Sequence, residues 1–384
     1  MDDFNEESKI LTNKFLEKGY SVDLLENSKN KDFQLNDLSS SSWAAVLDVL
    51  LKSNKSATEF LIVGFSDAPD LQIPLFSLFF LIYSLTVLGN LIIILLISSD
   101  INLQKPMYFF LCSMSCLDIS YSSVTAPNLL HMFITANKMT SFNRCMVQLY
   151  FFNSFASMEY LLLTTMAYDR YMAICNPLIY PQIMNKKNCL ILVAMAWLSG
   201  FLAGLPVTVL SSALAFCTSN IINHFFCDVT PLLKLACGDT STIKFVMFAQ
   251  GVCLLFSCFL LTVMSYIYII NAILKISSAE GRLKTFSTCG SHLTVVVLFY
   301  VLVVGVYMKP TSSYSLDEGK FLSVLYVNVI PMLNPIIYTL RNKDVKESFR
   351  KACRNSMATF HILGSTIHFK PSTKSTKSKL TSLH

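Results

Sequence analysis

Charge is scarce in this chain. Asp, Glu, Lys and Arg supply 14% of its 384 residues and hydrophobic residues 53%, where soluble globular domains carry about 25% charged residues. A single soluble core cannot hide so much apolar surface, so hydrocarbon is the expected solvent. Signatures of catalysis are missing too. There is no Gly-rich phosphate loop, no zinc-spaced ligand cluster and no nucleophile elbow, which argues against an enzyme. No convincing internal repeat supports a transporter or channel. The first 20 residues are acidic and polar, without a basic n-region and apolar h-region. No cleavable signal peptide is expected, and the first span must act as signal anchor.

Long apolar runs are what the chain has instead. Seven stretches, 72–98, 107–131, 143–173, 188–210, 243–275, 284–308 and 319–340, are each long enough to cross about 30 Å of hydrocarbon. The expected fold is an all-α membrane protein, a seven-transmembrane bundle over 72–340. A short amphipathic cytoplasmic helix follows at 341–354, then a disordered Ser/Thr/Lys-rich tail at 355–384. Residues 1–71 form an extracellular segment, of which 1–52 read as disordered or as an upstream extension. Lys and Arg in the short connections nearly balance between the two sides. The tail breaks the tie: Arg341, Lys343, Lys346, Arg350, Lys351 and Arg354 follow the last span closely, against Lys52 and Lys55 before the first. The positive-inside rule then places the C-terminus in the cytoplasm and the N-terminus outside, as for a multi-pass plasma-membrane protein. The net charge of +6 reflects this tail and is no sign of nucleic-acid binding. Asn54-Lys55-Ser56 is a glycosylation sequon on the side expected to be luminal.

Cys145, Cys217, Cys227 and Cys237 fall in segments expected outside, and an even number there implies two disulfides. Cys145 begins span three and the others lie in the long loop 211–242. One bridge must therefore pin the loop to span three and the other must close within it; three pairings exist, and arithmetic leaves the choice open. Cys353, about one amphipathic helix beyond the last span, is a candidate for palmitoylation.

The stretch from Met166 to Cys175 closes span three with an adjacent acid and base, Asp169 and Arg170, followed by Tyr171. A charge at a membrane boundary is costly and points to function. Glu159 precedes Arg170 by eleven residues, about three turns, so both lie on one face. Asp118 and Glu159 are acids inside spans, and with Asn90 and Asn334 they form a polar cluster. It either holds a sodium ion, shares protons, or is a hydrogen-bonded packing network. Pro331 and Pro335 leave carbonyls unpaired and favour a kink in span seven, a bistable element suited to a switch.

Several motifs recur in an order that resembles rhodopsin-like (class A) G-protein-coupled receptors, and among them the olfactory receptors. They are Gly89-Asn90, the run from Pro106 to Leu111, Leu117-Asp118, Met166 to Cys175, and His224 to Asp228. Ser265-Tyr266, Lys284 to Cys289, Ser291 to Thr294, Pro331 to Tyr338 and Leu340 to Asn342 complete the set. The resemblance covers roughly 54–353. It implies the bridges Cys145–Cys227 and Cys217–Cys237. It implies a receptor for volatile odorants, coupled to a heterotrimeric G protein of stimulatory or olfactory type that raises cyclic AMP. It assigns Tyr266 and Tyr338 as tyrosines that meet a freed Arg170. His292 in span six reads either as a pH-sensitive part of that switch or as a histidine hydrogen-bonded within the bundle. A metal at His224, Cys227 and Asp228 is not expected, because a disulfide-bonded cysteine cannot ligate as a thiolate. Two departures stand out: 1–52 have no counterpart, and Val301 follows Tyr300 where the family usually has Gly. A retinal-binding opsin would need a lysine in the middle of span seven, and none is there.

The resemblance places ligand in the extracellular half of the bundle. On span three, Phe152, Asn153, Ala156, Ser157 and Tyr160 share one face. Gln250 and Gly251 in span five, Tyr300, Val303, Val304 and Tyr307 in span six, and Val324 and Val327 in span seven complete the expected lining. Such a wall suits a small, mostly neutral hydrophobic ligand with one polar group. The alternatives are a non-olfactory class A receptor for another small ligand, or a membrane transporter.

Overall fold

The computed structural model describes residues 58–65, 69–135, 137–217, 219–307, 316–341 and 344–354, all within the unit Ala57–His384. The segment 1–52, the sequon at Asn54 and the tail 355–384 lie outside the described residues.

Among the described residues there are seven long helices: α1 (Pro69–Ser99), α2 (Pro106–Thr135), α3 (Phe142–Cys175), α4 (Lys186–Ser212), α5 (Ser241–Leu274), α6 (Ala279–Tyr307) and α7 (316–341). Each overlaps one apolar stretch of the sequence. By length and composition alone, α1, α4, α5 and α7 are apolar enough to cross a membrane. The other three carry more polar side chains, and several of these point inward. Asp118 on α2, Glu159 on α3 and His292 on α6 are buried, while Leu81, Leu88 and Leu95 on α1 and Leu190, Leu198 and Leu202 on α4 are exposed. This polarity, opposite to that of a water-soluble bundle, suits a hydrocarbon surround.

α3 is the central helix and packs on α2, α4, α5 and α6, while α7 closes the ring against α1 and α6. Two glycines let α4 approach α3. A Cβ on Gly200 would sit 2.3 Å from Met158 Cγ and 2.9 Å from the Ser154 carbonyl, and one on Gly204 would sit 2.2 Å from Ser154 Oγ. Small residues four apart are a usual means of close helix contact where no hydrophobic drive exists between helices.

The prolines have specific consequences. Pro335 has no N–H, so the carbonyl of Pro331, four residues back, loses its helical donor. Asn90 Nδ2 on α1 supplies one at 3.1 Å. Pro331 in turn deprives Val327, and the turn Leu325–Val329 is a π-helix. A second π-segment, Gly251–Phe256, interrupts α5. α6 runs through Val301 without a break, and Val301 faces outward.

One end of the bundle carries a three-stranded sheet ordered β2-β1-β3: β1 is Glu59–Ile62, β2 Met139–Ser141 and β3 Ile221–Ile222. β1 is the middle strand, antiparallel to β2 and parallel to β3. Phe60 beneath it packs on Phe142 and Phe216. Cys145–Cys227 ties the long loop to α3, and Cys217–Cys237 closes within the loop. At the opposite end, a helix over 344–354 (α8) turns Val345 and Ser348 inward and leaves Cys353 exposed. Lys105 and Tyr108 at the start of α2 meet Asp344 at 2.9 and 3.1 Å.

Candidate functional site

In the sheet-end half, the helices enclose a cavity of about 150 Å3. α3 contributes Asn153, Ala156, Ser157 and Tyr160 to its wall. Met247, Gln250, Gly251 and Leu255 come from α5, and Phe299 and Val303 from α6. Tyr121, Val207, Val229 and Tyr326 close it. Among the described residues of this lining there is no acid or base.

The structure thus brings together Asn153, Ala156, Ser157, Tyr160, Gln250, Gly251 and Val303 of the residues expected from sequence. It leaves Phe152, Tyr300, Val324 and Val327 out of the wall. Phe152 is fully buried behind it, with ring centroids 4.5 Å from Phe226 and 5.3 Å from Tyr121. Tyr300 packs on Phe259 and Phe299. The side chains of Val304 and Tyr307 lie outside the described residues. On α7 the lining residue is Tyr326 rather than its neighbours Val324 and Val327. Tyr326 lies in the π-segment Leu325–Val329, where side-chain directions depart from α-helical spacing. Phe299 and Leu255 were legible in principle, each one turn from an expected lining residue. Tyr121 and Val207 come from spans that the sequence reading did not assign to the pocket.

The polar groups of the wall are held by its backbone. Asn153 Nδ2 donates to the Leu149 carbonyl at 3.0 Å, Ser157 Oγ donates to the Asn153 carbonyl at 2.8 Å, and Gln250 Nε2 donates to the Ala203 carbonyl of α4 at 2.8 Å.

Below the cavity lies a polar layer. Asn334 Nδ2 donates to both oxygens of Asp118, at 3.1 and 3.0 Å. Glu159 is buried close enough to Asp118 for their charges to repel, and neither of its oxygens has a hydrogen-bond partner among the described residues. The side-chain oxygens of Asn90 and Asn334 are likewise buried without a partner there.

Farther along α3, Arg170 pairs with Asp169 through Nε at 2.9 Å and through Nη2. The fully buried Asp169 also accepts from Tyr180 at 2.9 Å. Tyr180 begins a one-turn helix, Tyr180–Ile183, in the α3–α4 connection. Tyr171 stacks near Tyr168 and Tyr268. His292 Nε2 on α6 faces the Leu163 carbonyl of α3 at 3.1 Å and must carry a hydrogen. In the neutral ring Nδ1 is then the acceptor, and Tyr266 of α5 donates to it at 2.6 Å. One imidazole joins three helices. The hydroxyl of Tyr338 on α7 is buried without a hydrogen-bond partner among the described residues.

In the loop, Cys227 is held in its bridge and His224 packs against Phe225 and Phe226. Burial, with Lys320 nearby, lowers the His224 imidazole to about 3. Burial raises the Asp228 carboxyl to about 6, partly offset by the amides of Val229 and Thr230. Gln148 secures the loop, accepting from the Cys227 amide at 2.9 Å and donating to the Val124 carbonyl at 2.9 Å.

A seven-helix membrane bundle with a cavity at one end and a caged arginine at the other, joined by one central helix, has the architecture of a heptahelical receptor. The comparisons agree. The olfactory receptor family matches residues 79–355, and the chain belongs to that family. It is 50% identical to olfactory receptor 5AR1 of Mus musculus over 301 residues, covering 78% of this chain and 97% of that one. It is 48% identical to olfactory receptor 5AR1 of Homo sapiens over 301 residues, with the same shares. It is 49% identical to olfactory receptor 5AP2 of Mus musculus over 304 residues, 79% and 96% of the two chains. Members of the family are multi-pass membrane receptors, not enzymes, and sense odorants through a G protein; this chain is one of them.

Proposed function

We propose that this receptor binds small, mostly neutral hydrophobic odorants in the sheet-end cavity and activates a stimulatory or olfactory-type Gα, raising cyclic AMP. In this reading the sheet end faces outside the plasma membrane and Arg170 faces the cytoplasm. The observation that carries it is the continuity of α3. The same helix supplies Asn153 to Tyr160 to the cavity wall, Glu159 to the polar layer and Arg170 to the opposite end.

A ligand pressing on Phe299 and on the π-segment of α5 would act on the two helices that Tyr266 and His292 join. Parting them breaks the 2.6 Å bond and frees Tyr266. Opening that end also exposes Arg170 to a partner's backbone carbonyls, with Tyr266 and Tyr338 as its new neighbours. In the closed arrangement Asp169, braced by Tyr180, holds the arginine.

A second reading concerns the polar layer. The buried oxygens without partners on Glu159, Asn90 and Asn334, with Asp118, would supply the all-oxygen donor set that a hard cation prefers. A sodium ion held there would neutralise two acids packed in one apolar bundle.

A cyclic-AMP reporter assay against an odorant panel tests both. Wild type is expected to respond to at least one small apolar odorant, and Arg170→Ala at equal surface density to lose that response. A panel-wide silence from well-expressed wild type would refute the reading. Replacing external sodium with a large organic cation should shift the wild-type dose-response; if Asp118→Asn shifts equally, the ion site is wrong.

A further inference from the structure

We propose that a groove at the Arg170 end of the bundle, between the ends of α1, α2 and α4, binds an anionic phospholipid. One acyl chain lies in the groove and the headgroup phosphate meets Lys105 and Lys186. The proposal needs the membrane but not the odorant cavity. In the orientation proposed above the groove opens to the inner leaflet, where anionic lipids give a negative surface.

The groove holds about 730 Å3, against about 150 Å3 for the cavity at the sheet end. Its base is apolar and firmly packed, with Leu103, Met184 and Cys189 buried. Its polar residues gather at one edge. Gln104 and Lys105 come just before α2, Asn185 caps α4 and Lys186 begins it. The apolar residues run deeper. Phe109 and Cys112 follow on α2 and Leu190 on α4, and the rise of an α-helix puts Cys112 about 9 Å beyond Pro106. Phe109 and Leu190 are exposed, and in a bilayer that exposure is to hydrocarbon. Cations at the edge and apolar side chains below repeat the order of a phospholipid from phosphate to tail.

That order selects the occupant. A small soluble anion would use the lysines and leave the apolar trough empty. A sterol or neutral lipid would fill the trough and leave the lysines unused. Among the described residues of the lining there is no acid to compete with a phosphate. Lys105 shares its charge with Asp344 at 2.9 Å, beside the groove. Lys186 is exposed on a flexible four-carbon stem and supplies the larger share of the attraction. Tyr180, which braces Asp169, also lines the groove, so the lipid would lie against the clamp on Arg170.

The test is photolabelling of the full-length receptor in phosphatidylcholine nanodiscs. Trace phosphatidylserine or phosphatidylcholine, each with the same diazirine-bearing acyl chain, is added, and labelled peptides are mapped by mass spectrometry. Phosphatidylserine is expected to label the segments around Phe109 and Leu190 about fivefold more strongly, the value of one basic residue near an anionic headgroup. Lys186→Gln should remove most of that excess and Lys105→Gln part of it. Both lysines are exposed, so the variants should keep the wild-type melting temperature. Lys275→Gln, exposed at the end of α5 and outside the lining, should leave the excess intact. Equal labelling by the two lipids would overturn the proposal, as would an excess that survives in the double variant. A loss in Lys275→Gln as large as in Lys186→Gln would mean general surface attraction instead of a site. Preferential labelling of the same segments by a sterol photoprobe would give the groove to a sterol and sink the proposal.

Discussion

Asp228 caps the helix Val229–Leu235, its Oδ1 accepting from the Val229 amide at 2.8 Å. It does so while buried, which lifts its carboxyl from 3.8 to about 6. A raised carboxyl binds its proton more tightly folded than unfolded. It therefore stabilises the fold most below pH 3.8, and that contribution is lost as pH rises through about 6. His224, four residues earlier, has the opposite sign. Its folded value, lowered from 6.5 to about 3, gives stability that is present above pH 6.5 and lost as pH falls toward 3. Between about pH 7 and 5 the two oppose each other, and single variants separate them. Asp228→Asn in detergent is expected to lose melting temperature on acidification more steeply than wild type, and His224→Gln less steeply. Profiles for both variants that overlay the wild-type curve would remove these residues from the pH response. Neither sign was legible in the chain. The string from His224 to Asp228 reads as polar chemistry, whereas its histidine lies between phenylalanine rings and its acid serves as a helix cap.

Among elements, the α3–α4 contact is set by backbone proximity more than by side-chain size. Gly200→Ala would thrust a methyl group against Met158 and the fixed Ser154 carbonyl, and overpacking of this kind costs about 1–3 kcal/mol. Gly238→Ala, with nothing within 4 Å of the added carbon, is the matched control. Thermal unfolding should show a lower melting point for Gly200→Ala only; equal melting points would mean that the helices separate freely. Helix positions were readable in advance, because seven apolar runs have few other uses and their ends bear Pro, Asn and Ser. The two π-segments were not. Pro331 and Pro335 announced a disturbance in α7, but its form depends on which neighbour serves the orphaned carbonyls, and Asn90 is 241 residues from Pro331. Tyr326, within the π-segment of α7, lines the cavity where Val324 and Val327 were expected. On the straight run of α3, helical spacing puts Asn153, Ala156, Ser157 and Tyr160 on one face, and all four line the cavity.

For the whole molecule the testable matter is direction across the bilayer. In the orientation proposed above, the basic residues of α8 would lie at the cytoplasmic face, as the positive-inside rule favours. An epitope placed before Thr58 should then stain intact cells, and one placed after Arg354 only permeabilised cells. The reverse pattern would exchange the faces and undo the roles given to the cavity and to Arg170.

The central position of β1 bears on how such a chain is made. Glu59–Ile62 is synthesised before any membrane helix, yet one partner, β2, follows two helices later and the other, β3, only after four. Until Ser141 emerges both backbone edges of this apolar strand are unpaired, and until Ile222 emerges one edge still is, a state prone to adhere to other chains. The sheet is thus begun before α1 and completed only after α4. A receptor stalled before Ile222 would be recognisable to quality control by one open seam.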